Sequence, residues 1–496
     1  MKKLIEFSKS NSERLFPAGI LILGIVLRLL FLGREGFWHD EALTALALKL
    51  PFGDMIRERL AAGHSPLYFI LLYPVAQLFG TGEIVLRLPS VLASTGSLWV
   101  FYLLAKRLAR RSVTALLSTL FFSLSSVNVY YAQEARMYTL CLFFVICSFY
   151  FLSRAVMEPE DRRTIWVWYA LSTSMALYMS SAALPVLAAQ GVFVLAKRKR
   201  IAPFILSLCA VFLIYLPMAF FYITQSKLSA IEWLPPVTVR TVLEIPYSFG
   251  FRPVPLEVGF GVYTAFIPPL EMLSLMLPGI VLAVSLGDSI FKRPAGTKPT
   301  SPSSGSAAES MDKQKYLLPL LWLAVPISLE VLFSLLKQPV FGPKRYLLVF
   351  SPAYYLLIGL GIEGIRNRSF RRAMSLIFPA LFVMSLFFFF TQPTREDWRG
   401  AIRYMDREIN PGEVLYGNLS TQTLYRYYGK YPDLIIMDIN DAASGIFTEG
   451  WMMLRERDAK IVSRLLTALK NSYKLTEIEG YRYIRLYRFS LPGPSH

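Results

Sequence analysis

Residues 16–42 read FPAGILILGIVLRLLFLGREGFWHDEA, an apolar run that ends in a short aromatic and acidic stretch. A helix that spans a membrane needs about 20 mostly apolar residues to cross roughly 30 Å of hydrocarbon. The run Phe16–Leu32 approaches that length and follows a basic N-terminal segment. Because no small-residue cleavage site follows it, we expect a retained signal-anchor helix rather than a cleaved signal peptide.

Ten further apolar runs follow along the chain. They lie near residues 84–105, 112–131, 137–156, 164–180, 182–196, 203–223, 262–290, 316–336, 345–365 and 373–391. Of the 496 residues, 54% are hydrophobic and only 17% are charged, with a mean hydropathy of +0.44. A soluble globular chain carries about 25% charged residues. The runs and the composition predict an all-α polytopic membrane protein with about eleven transmembrane helices.

The distribution of Lys and Arg predicts how these helices are oriented. The formal net charge is +18, but the cations form short clusters between apolar runs, which favours membrane topology over nucleic-acid binding. Cytoplasmic loops are enriched in Lys and Arg. Alternate connections are basic, so we expect a cytoplasmic N-terminus and an extracytoplasmic C-terminus at the inner or plasma membrane. These connections are Lys106–Arg111, Arg154–Arg163, Lys197–Arg200, Lys292–Lys315 and Arg366–Arg372.

The C-terminal segment has a soluble composition and predicts a second domain. We expect a transmembrane domain over residues 1–391 and a small extracytoplasmic α/β domain over residues 392–496, called the tail below. Apolar periodicity indicates three helices and three strands in it. These are helices near 395–408, 420–428 and 445–470, and strands at Val414–Gly417, Leu434–Met437 and Tyr481–Phe489. Four of its aromatic side chains either stack on sugars or pack in the core: Trp398, Tyr425, Tyr427 and Tyr428.

Cysteine and histidine usage predicts no particular metal site. The three cysteines lie inside apolar runs without CxxC spacing, so neither a disulfide framework nor a thiolate metal site is expected. Three histidines, His39, His64 and His496, exclude a histidine-rich site. We assign no metal ligands, and dependence on a divalent metal has no support from a histidine cluster.

The stretch GFWHDEA, residues 36–42, holds the first candidate site. Asp40 and Glu41 are adjacent carboxylates that follow Phe37 and Trp38 just beyond the first predicted helix. Apolar surroundings raise the pKa of a carboxylate and make it a usable proton acceptor. A catalytic role for Asp40 and Glu41 therefore stands beside a structural one, in which an aromatic belt precedes a helix capped by Asp40.

A second pair of motifs follows, HSPLYF from His64 and EIVLRLPS from Glu83. Glu83 and Arg87 are four residues apart, so on a helix they share a face and can pair. His64, Glu83 and Arg87 are candidate substrate-binding residues. A turn histidine and a structural ion pair are the plainer interpretations.

A third motif, YYAQEARMY at residues 130–138, joins two predicted spans on the same side as Asp40. Charged residues at that depth are costly unless they are paired or hydrated. We take Glu134, Arg136 and Tyr138 as candidate substrate-binding residues, against the alternative of a tight polar turn.

A fourth motif, PKRYLL from Pro343, contributes Lys344, Arg345 and Tyr346 as candidate binding residues. Its two cations oppose the positive-inside trend and suit a lipid phosphate, which arginine can grip through two parallel hydrogen bonds. The plainer interpretation is snorkelling to anionic headgroups. Glu330, inside the ninth predicted span, either pairs with one of these cations or only pins helices together.

All four motifs emerge on one predicted face of the membrane. At these residues the sequence resembles the GT-C superfamily, specifically its protein O-mannosyltransferase and aminoarabinose-transferase branch. The marks, over about the first 390 residues, are the Asp40-Glu41 pair, HSPLYFILL then RLPS, QEARMY and KRYLL. The opening of the tail, REDWRGA from Arg395, is similar to the extracytoplasmic tail of many bacterial members.

The resemblance implies a polyprenyl-phosphate-linked sugar donor and a lipid, glycan or protein acceptor. Asp40 matches the family's catalytic base, which takes the acceptor's proton while the sugar carbon is displaced with inversion. The charge of the departing phosphate then needs stabilisation, a role for Arg136, Arg345 or a divalent metal. The chain departs from the pattern at His64-Ser65-Pro66, where His-Pro-Pro is commoner, and in lacking a histidine after the fifth predicted span.

A polytopic transporter or flippase of lipid-linked envelope precursors is the alternative function. Such proteins carry intramembrane charges along a pathway and often show repeat symmetry, whereas this sequence has no strong repeat and a substantial tail. The enzyme interpretation predicts that Asp40, Glu134, Arg136 and Arg345 line one cavity. We expect the tail to cover its mouth and help to select the acceptor.

Overall fold

The computed structural model describes residues 2–159, 162–224, 236–250, 267–290, 302–337, 344–439, 449–455, 474–478 and 480–490. The described chain before residue 392 is helical. Its helices are α1 (Lys2–Leu29), α2 (His39–Ala47), α3 (Phe52–Ala61), α4 (Leu67–Phe79), α5 (Glu83–Leu108), α6 (Ser112–Leu124), α7 (Ser126–Ala132), α8 (Tyr138–Met157), α9 (Arg163–Met179), α10 (Leu184–Lys197), α11 (Ile201–Thr224), α12 (Val239–Phe249), α13 (Ile267–Ile290), α14 (Pro302–Leu336), α15 (Lys344–Leu347), α16 (Ser351–Gly364) and α17 (Arg368–Thr391).

The predicted all-α polytopic architecture is confirmed, since a helix lies in each of the eleven predicted apolar runs. Within the described residues, six helical segments are long and apolar enough to cross a membrane, and α6 with α7 forms a bent seventh. The six are Glu83–Leu108, Tyr138–Met157, Ile201–Phe221, Lys315–Leu336, Arg345–Gly364 and Arg368–Thr391. Shorter apolar helices occupy other predicted runs. The total of eleven crossings stays a prediction.

The bend between α6 and α7 brings the QEAR segment into the bundle. The chain is extended at Ser125, and the two helices meet at 58°. Such a break frees carbonyl groups that must find other donors. The fully buried Arg28 of α1 donates to the Ser123 carbonyl at 3.4 Å and to Ser94 Oγ at 2.6 Å. Arg28 therefore stabilises the break between α6 and α7. Helix α7 ends at Ala132, next to Gln133 of the QEAR segment.

Helix α16 is the most buried part of the bundle among the described spans, since 89% of the most apolar stretch of Arg345–Gly364 is buried. It packs against α6 through Gly359, where a Cβ atom would overlap the hydroxyl of Ser118. Small residues allow this close approach between helices in a membrane.

The tail forms a small mixed α/β unit, as predicted. Its elements are α18 (Trp398–Glu408), β1 (Val414–Gly417), α19 (Leu419–Tyr428), β2 (Ile436–Asp438), β3 (Gly450–Arg455), β4 (Lys474–Ile478) and β5 (Ile484–Ser490). The strand order is β2-β1-β3-β5-β4, with β1 parallel to β2 and β3, and β5 antiparallel to β3 and β4. β1, α19 and β2 form a βαβ unit, which explains the parallel pairing.

The predicted long helix near 445–470 is wrong where the chain is described. Residues 450–455, GWMMLR, form β3 at the middle of the sheet, paired with β1 and β5. The residues 450–454 are buried, and pairing on both sides overrides the local helical preference of Met and Leu. The remainder, residues 445–448 and 456–470, lies outside the described residues. β4 is a strand that the sequence analysis missed.

The tail packs directly onto the helical part. Trp398 and Leu424 belong to the same buried hydrophobic cluster as the bundle. Tyr427 lies 5.1 Å from the Phe37 ring between centroids, and the Tyr428 hydroxyl donates to Glu83 at 2.7 Å. The tail tyrosines therefore pack at this interface, as the plainer interpretation held. The domain boundary at 391/392 stays a prediction.

Candidate active site

Helix α2 presents its two acidic residues to different surroundings. It begins at His39 with Trp38 at the N-cap, so Asp40 lies in the first turn and the predicted Asp40 cap is wrong. A carboxylate there is favoured by the helix dipole. Successive helical residues point about 100° apart. The Asp40 side chain is 24% exposed, whereas that of Glu41 is 0% exposed.

Asp40 lies between two arginines from distant parts of the chain. Arg136 Nη2 is 3.8 Å from Asp40 Oδ2, and Arg345 Nη1 is 3.4 Å from the same oxygen. Arg136 also donates to the hydroxyl of Thr44 at 3.3 Å, one turn along α2. We call Asp40, Arg136 and Arg345 the Asp40 site. Its ion pairs are longer than a charge-assisted hydrogen bond of about 2.8 Å.

Aromatic rings form the walls of the Asp40 site. The guanidinium of Arg345 lies 5.8 Å from the Trp38 ring and 5.5 Å from the Tyr346 ring, and that of Arg136 lies 5.8 Å from the Tyr138 ring. Cation–π contacts hold such groups in place. Apolar walls also strengthen electrostatic interactions between the enclosed charges.

Glu41 is held in a second, enclosed cluster. Its carboxylate accepts two hydrogen bonds from Arg87 at 2.9 and 2.8 Å, one from Arg395 at 2.9 Å and one from the Ala135 amide at 2.8 Å. Burial by itself would raise the pKa of Glu41, but Arg395, Arg87 and these hydrogen bonds hold it below its usual value. We call Glu41, Arg87 and Arg395 the Glu41 cluster.

Every N–H group of the Arg87 guanidinium donates a hydrogen bond. Besides Glu41, it donates to the carbonyls of Leu32, Glu35 and Gly36 at 2.8, 2.9 and 3.1 Å. All five N–H groups of a guanidinium are thereby used. The predicted pairing of Arg87 with Glu83 is wrong, because both residues have tertiary partners. Glu83 accepts from Arg399 at 3.1 Å and from the Tyr428 hydroxyl.

Two further predicted residues, Glu134 and His64, lie close to these charged groups. Burial raises the pKa of Glu134 to about 7, against the opposing charge of Arg395 at 3.9 Å. Burial also lowers the pKa of His64 to about 4, and Arg136 and Arg59 add to the fall, so His64 is neutral at pH 7.

Several buried polar atoms here have no hydrogen-bond partner among the described residues. They are Trp38 Nε1, Ser65 Oγ, Tyr68 Oη, Glu134 Oε2 and Arg136 Nε. Buried polar groups in folded proteins are normally satisfied. Atoms of this kind also occur elsewhere among the described residues, for example in Ser118 and Ser174.

The fourth motif is described in part. Arg345 and Tyr346 join the Asp40 site, while the side chain of Lys344, at the start of α15, lies outside the described residues. Glu330 is buried in α14, and among the described residues no ion pair joins it to Arg345. Arg345 pairs with Asp40 instead.

Arg395 is the main residue that the sequence analysis missed. It was noted only as part of a resembling motif, yet its guanidinium contacts Glu41, the Gln133 carbonyl and Glu134. One feature of the sequence could have indicated Arg395. Like Arg345, it is a cation that follows an apolar run at the predicted outer surface, against the positive-inside trend.

Part of the chain matches a known protein family. The model of the family described as dolichyl-phosphate-mannose-protein mannosyltransferase matches residues 63–222, a segment that contains His64, Arg87, Glu134 and Arg136. No curated protein sequence matches the chain significantly.

Solved structures resemble the chain along nearly its whole length. The oligosaccharyltransferase of Archaeoglobus fulgidus, solved with Zn and sulfate, is 12% identical over 94% of this chain and 73% of its own, with a TM-score of 0.53. The same archaeal protein, AglB, with an inhibitory peptide and a dolichol-phosphate, is 11% identical over 96% and 74%, with a TM-score of 0.51. ArnT from Cupriavidus metallidurans, in the apo state, is 11% identical over 97% and 98%, with a TM-score of 0.47.

The fold is similar to that of the archaeal oligosaccharyltransferase, and residues 63–222 match a family of mannosyltransferases. Both similarities agree with the GT-C resemblance of the sequence motifs. This result favours the enzyme over the transporter that the sequence left as an alternative.

Proposed function

We propose that the protein transfers a sugar from a polyprenyl-phosphate donor to an acceptor at the extracytoplasmic face, with inversion and with Asp40 as general base. The N-terminus is cytoplasmic and the tail extracytoplasmic in this proposal. The observation that carries it is the Asp40 site, where one accessible carboxylate lies within 3.8 Å of two arginines.

The carboxylate of the Asp40 site suits the attacking group of the acceptor, and its two arginines suit the departing phosphate. Asp40 takes the proton of the acceptor's hydroxyl or amine as that group bonds to the anomeric carbon. The bond between this carbon and the phosphate oxygen breaks on the opposite face, and the phosphate leaves with the electron pair. A single displacement of this kind inverts the carbon. Arg136 and Arg345 stabilise the charge that develops on the phosphate.

The long ion pairs of Asp40 leave Arg136 and Arg345 able to bind a phosphate instead. Neither arginine makes a short contact with Asp40, and Arg136 Nε has no partner among the described residues. A phosphate can therefore take these guanidinium groups through short, bidentate bonds. Asp40 is then left to accept the proton. The family description names a dolichyl-phosphate sugar, and AglB of the same fold has been solved with a dolichol-phosphate.

The accessible and enclosed carboxylates have separate roles in this proposal. Asp40 reacts, whereas Glu41 and Arg87 hold the catalytic helix and do not touch substrate. His64, Glu134, Tyr138 and Tyr346 line the pocket for the donor.

Mass spectrometry of envelope lipids, glycans and proteins from a deletion strain tests the function and identifies the sugar and the acceptor. We expect one glycosylated product to disappear and to return with the wild-type gene but not with Asp40→Asn. Asp54→Asn is the matched control, because Asp54 is an exposed acid of α3 paired only with Arg57 among the described residues. A product restored by Asp40→Asn would overturn the assignment of the base, and an unchanged envelope would overturn the function.

A further inference from the structure

Arg395 joins the tail to helix α2, which carries the proposed base Asp40. It lies just beyond the end of α17 at Thr391, and its side chain is 5% exposed. Nη1 donates to Glu41 Oε2 at 2.9 Å, and Nη2 donates to the Gln133 carbonyl at 3.0 Å. One guanidinium therefore connects α2, which carries Asp40, to the loop that carries Arg136.

The backbone around Arg395 is fixed by the first loop. Glu35 accepts hydrogen bonds from the Thr394 amide at 2.7 Å, from the Arg395 amide at 3.4 Å and from the Thr394 hydroxyl. The side chain and the backbone of the same segment are thus held by two carboxylates, Glu35 and Glu41. Both carboxylates lie between α1 and the middle of α2, on either side of the catalytic residue.

We propose that Arg395 is a positioning residue for the transfer reaction, acting through Glu41 to orient Asp40 and Arg136. The inference rests on the proposed function, since it assumes that Asp40 reacts. Arg395 itself contacts no group of the Asp40 site. Its planar fork reaches two acceptors at once, which a lysine ammonium cannot match in geometry.

The position of Arg395 makes docking of the tail a condition for catalysis. Among the residues that the structure describes, the Glu41 carboxylate otherwise keeps Arg87 and the Ala135 amide as partners. A shift of about 1 Å in a catalytic group costs roughly 10²-fold in rate. Orientation of α2 therefore depends on a residue outside the segment that the family model matches, residues 63–222.

The test separates turnover from binding of the lipid phosphate. Arg395→Gln removes the charge and shortens the side chain but keeps a planar polar end, and Arg399→Gln is the control from the same tail segment. Turnover is the amount of glycosylated product per copy of enzyme in the complemented deletion strain. Binding is the affinity of the purified full-length protein for undecaprenyl phosphate, measured by native mass spectrometry.

We expect Arg395→Gln to lower turnover by about 10²-fold while affinity for undecaprenyl phosphate changes less than about 3-fold. Arg395→Lys should fall between this variant and the wild type. Because Arg395 acts through Glu41, the double variant with Glu41→Gln should be no worse than the poorer single variant.

Three results would overturn the inference. These are wild-type turnover in Arg395→Gln, a loss of affinity as large as the loss of turnover, and losses that multiply in the double variant. If Arg395→Gln does not accumulate in membranes, Arg395→Lys takes its place, and wild-type turnover in it overturns the inference. Turnover that persists in Asp40→Asn instead contradicts the proposed base. The coupling of Arg395 to Glu41 is still measured by their double variant.

Discussion

Two carboxylates that are neighbours in sequence, Asp40 and Glu41, have opposite surroundings. The Asp40 carboxylate is partly exposed, and its ion pairs are 3.4 and 3.8 Å long. The Glu41 cluster is closed, and its carboxylate accepts four hydrogen bonds of 2.8 to 2.9 Å. In the proposed function, the loosely paired charge of Asp40 takes part in the chemistry, whereas the fully hydrogen-bonded Glu41 fixes the structure. A rotation of about 100° along α2 separates the two roles.

Replacing the accessible carboxylate should give the largest effect on activity. Asp40→Asn removes basicity but keeps shape, so transfer should fall by about 10²–10⁴-fold while the melting temperature stays unchanged. Product per enzyme and thermal denaturation measure the two quantities. The control is Asp54→Asn. A variant that keeps more than about a third of wild-type turnover, a far smaller loss than base removal causes, would contradict the assignment.

Replacing the enclosed carboxylate should instead lower stability most. Glu41→Ala leaves Arg87 and Arg395 buried without their anion, and breaking a buried pair typically costs about 3–5 kcal/mol. The free energy of unfolding, followed in detergent, should fall by an amount of this order. The matched variant is Asp40→Ala, because the Asp40 carboxylate is itself partly exposed and its ion pairs are longer. Equal melting temperatures for the two variants would remove the distinction between the sites.

The arginines of the Asp40 site should affect the donor. Arg345→Ala and Arg136→Ala each remove charge-assisted bonds to phosphate worth about 1.5–3 kcal/mol, so affinity for undecaprenyl phosphate should fall about 10- to 100-fold. Native mass spectrometry measures it, with Arg57→Ala as an exposed control. Unchanged affinity in both variants would mean that these arginines only snorkel to the headgroups.

Glu134 should make stability depend on pH. Its pKa is raised by burial from 4.5 to about 7, so the folded state keeps a proton that the unfolded chain has lost. This contribution is complete below pH 4.5 and disappears as the pH rises through about 7. Glu134→Gln should therefore gain stability relative to the wild type between about pH 5 and 8. Thermal denaturation measures this.

Glu413→Gln is the control for that measurement. Burial acts to raise the pKa of Glu413, but hydrogen bonds from the Asn410 amide, Arg488 and Trp451 hold it below its usual value. Its proton is absent over the whole interval, so its difference from the wild type should stay constant. A constant difference for Glu134→Gln as well would contradict the raised pKa.

The smallest effect should come from the pair that docks the tail. Glu83→Gln weakens a partly exposed contact with Arg399, and such pairs contribute about 1 kcal/mol or less. Transfer should stay within about 3-fold of the wild type, as should that of Glu477→Gln, which loses the exposed pair with Arg485. A loss as large as that of Asp40→Asn would return Glu83 to the substrate-binding residues that the sequence predicted.

The sequence determined the apolar helices of the bundle and which residues carry charge in apolar surroundings. Its eleven runs predicted the bundle, and its four motifs contain Asp40, Arg136 and Arg345. The strand Val414–Gly417 was predicted with the bounds that the structure has. These successes share one physical cause, because burial in lipid or in a core imposes a local pattern that a short window of sequence reveals.

The tertiary structure alone decided the partners. Glu83 and Arg87 satisfy the spacing for a helical pair, yet each has a better partner from a distant segment. Residues 450–455 form a central strand because strands on both sides pair with them. The different surroundings of Asp40 and Glu41 depend on Arg345 and Arg395, which lie some 300 or more residues away along the chain. Ion pairs and strand pairs form through space, so spacing along the sequence shows which partners are possible and packing selects the ones that form.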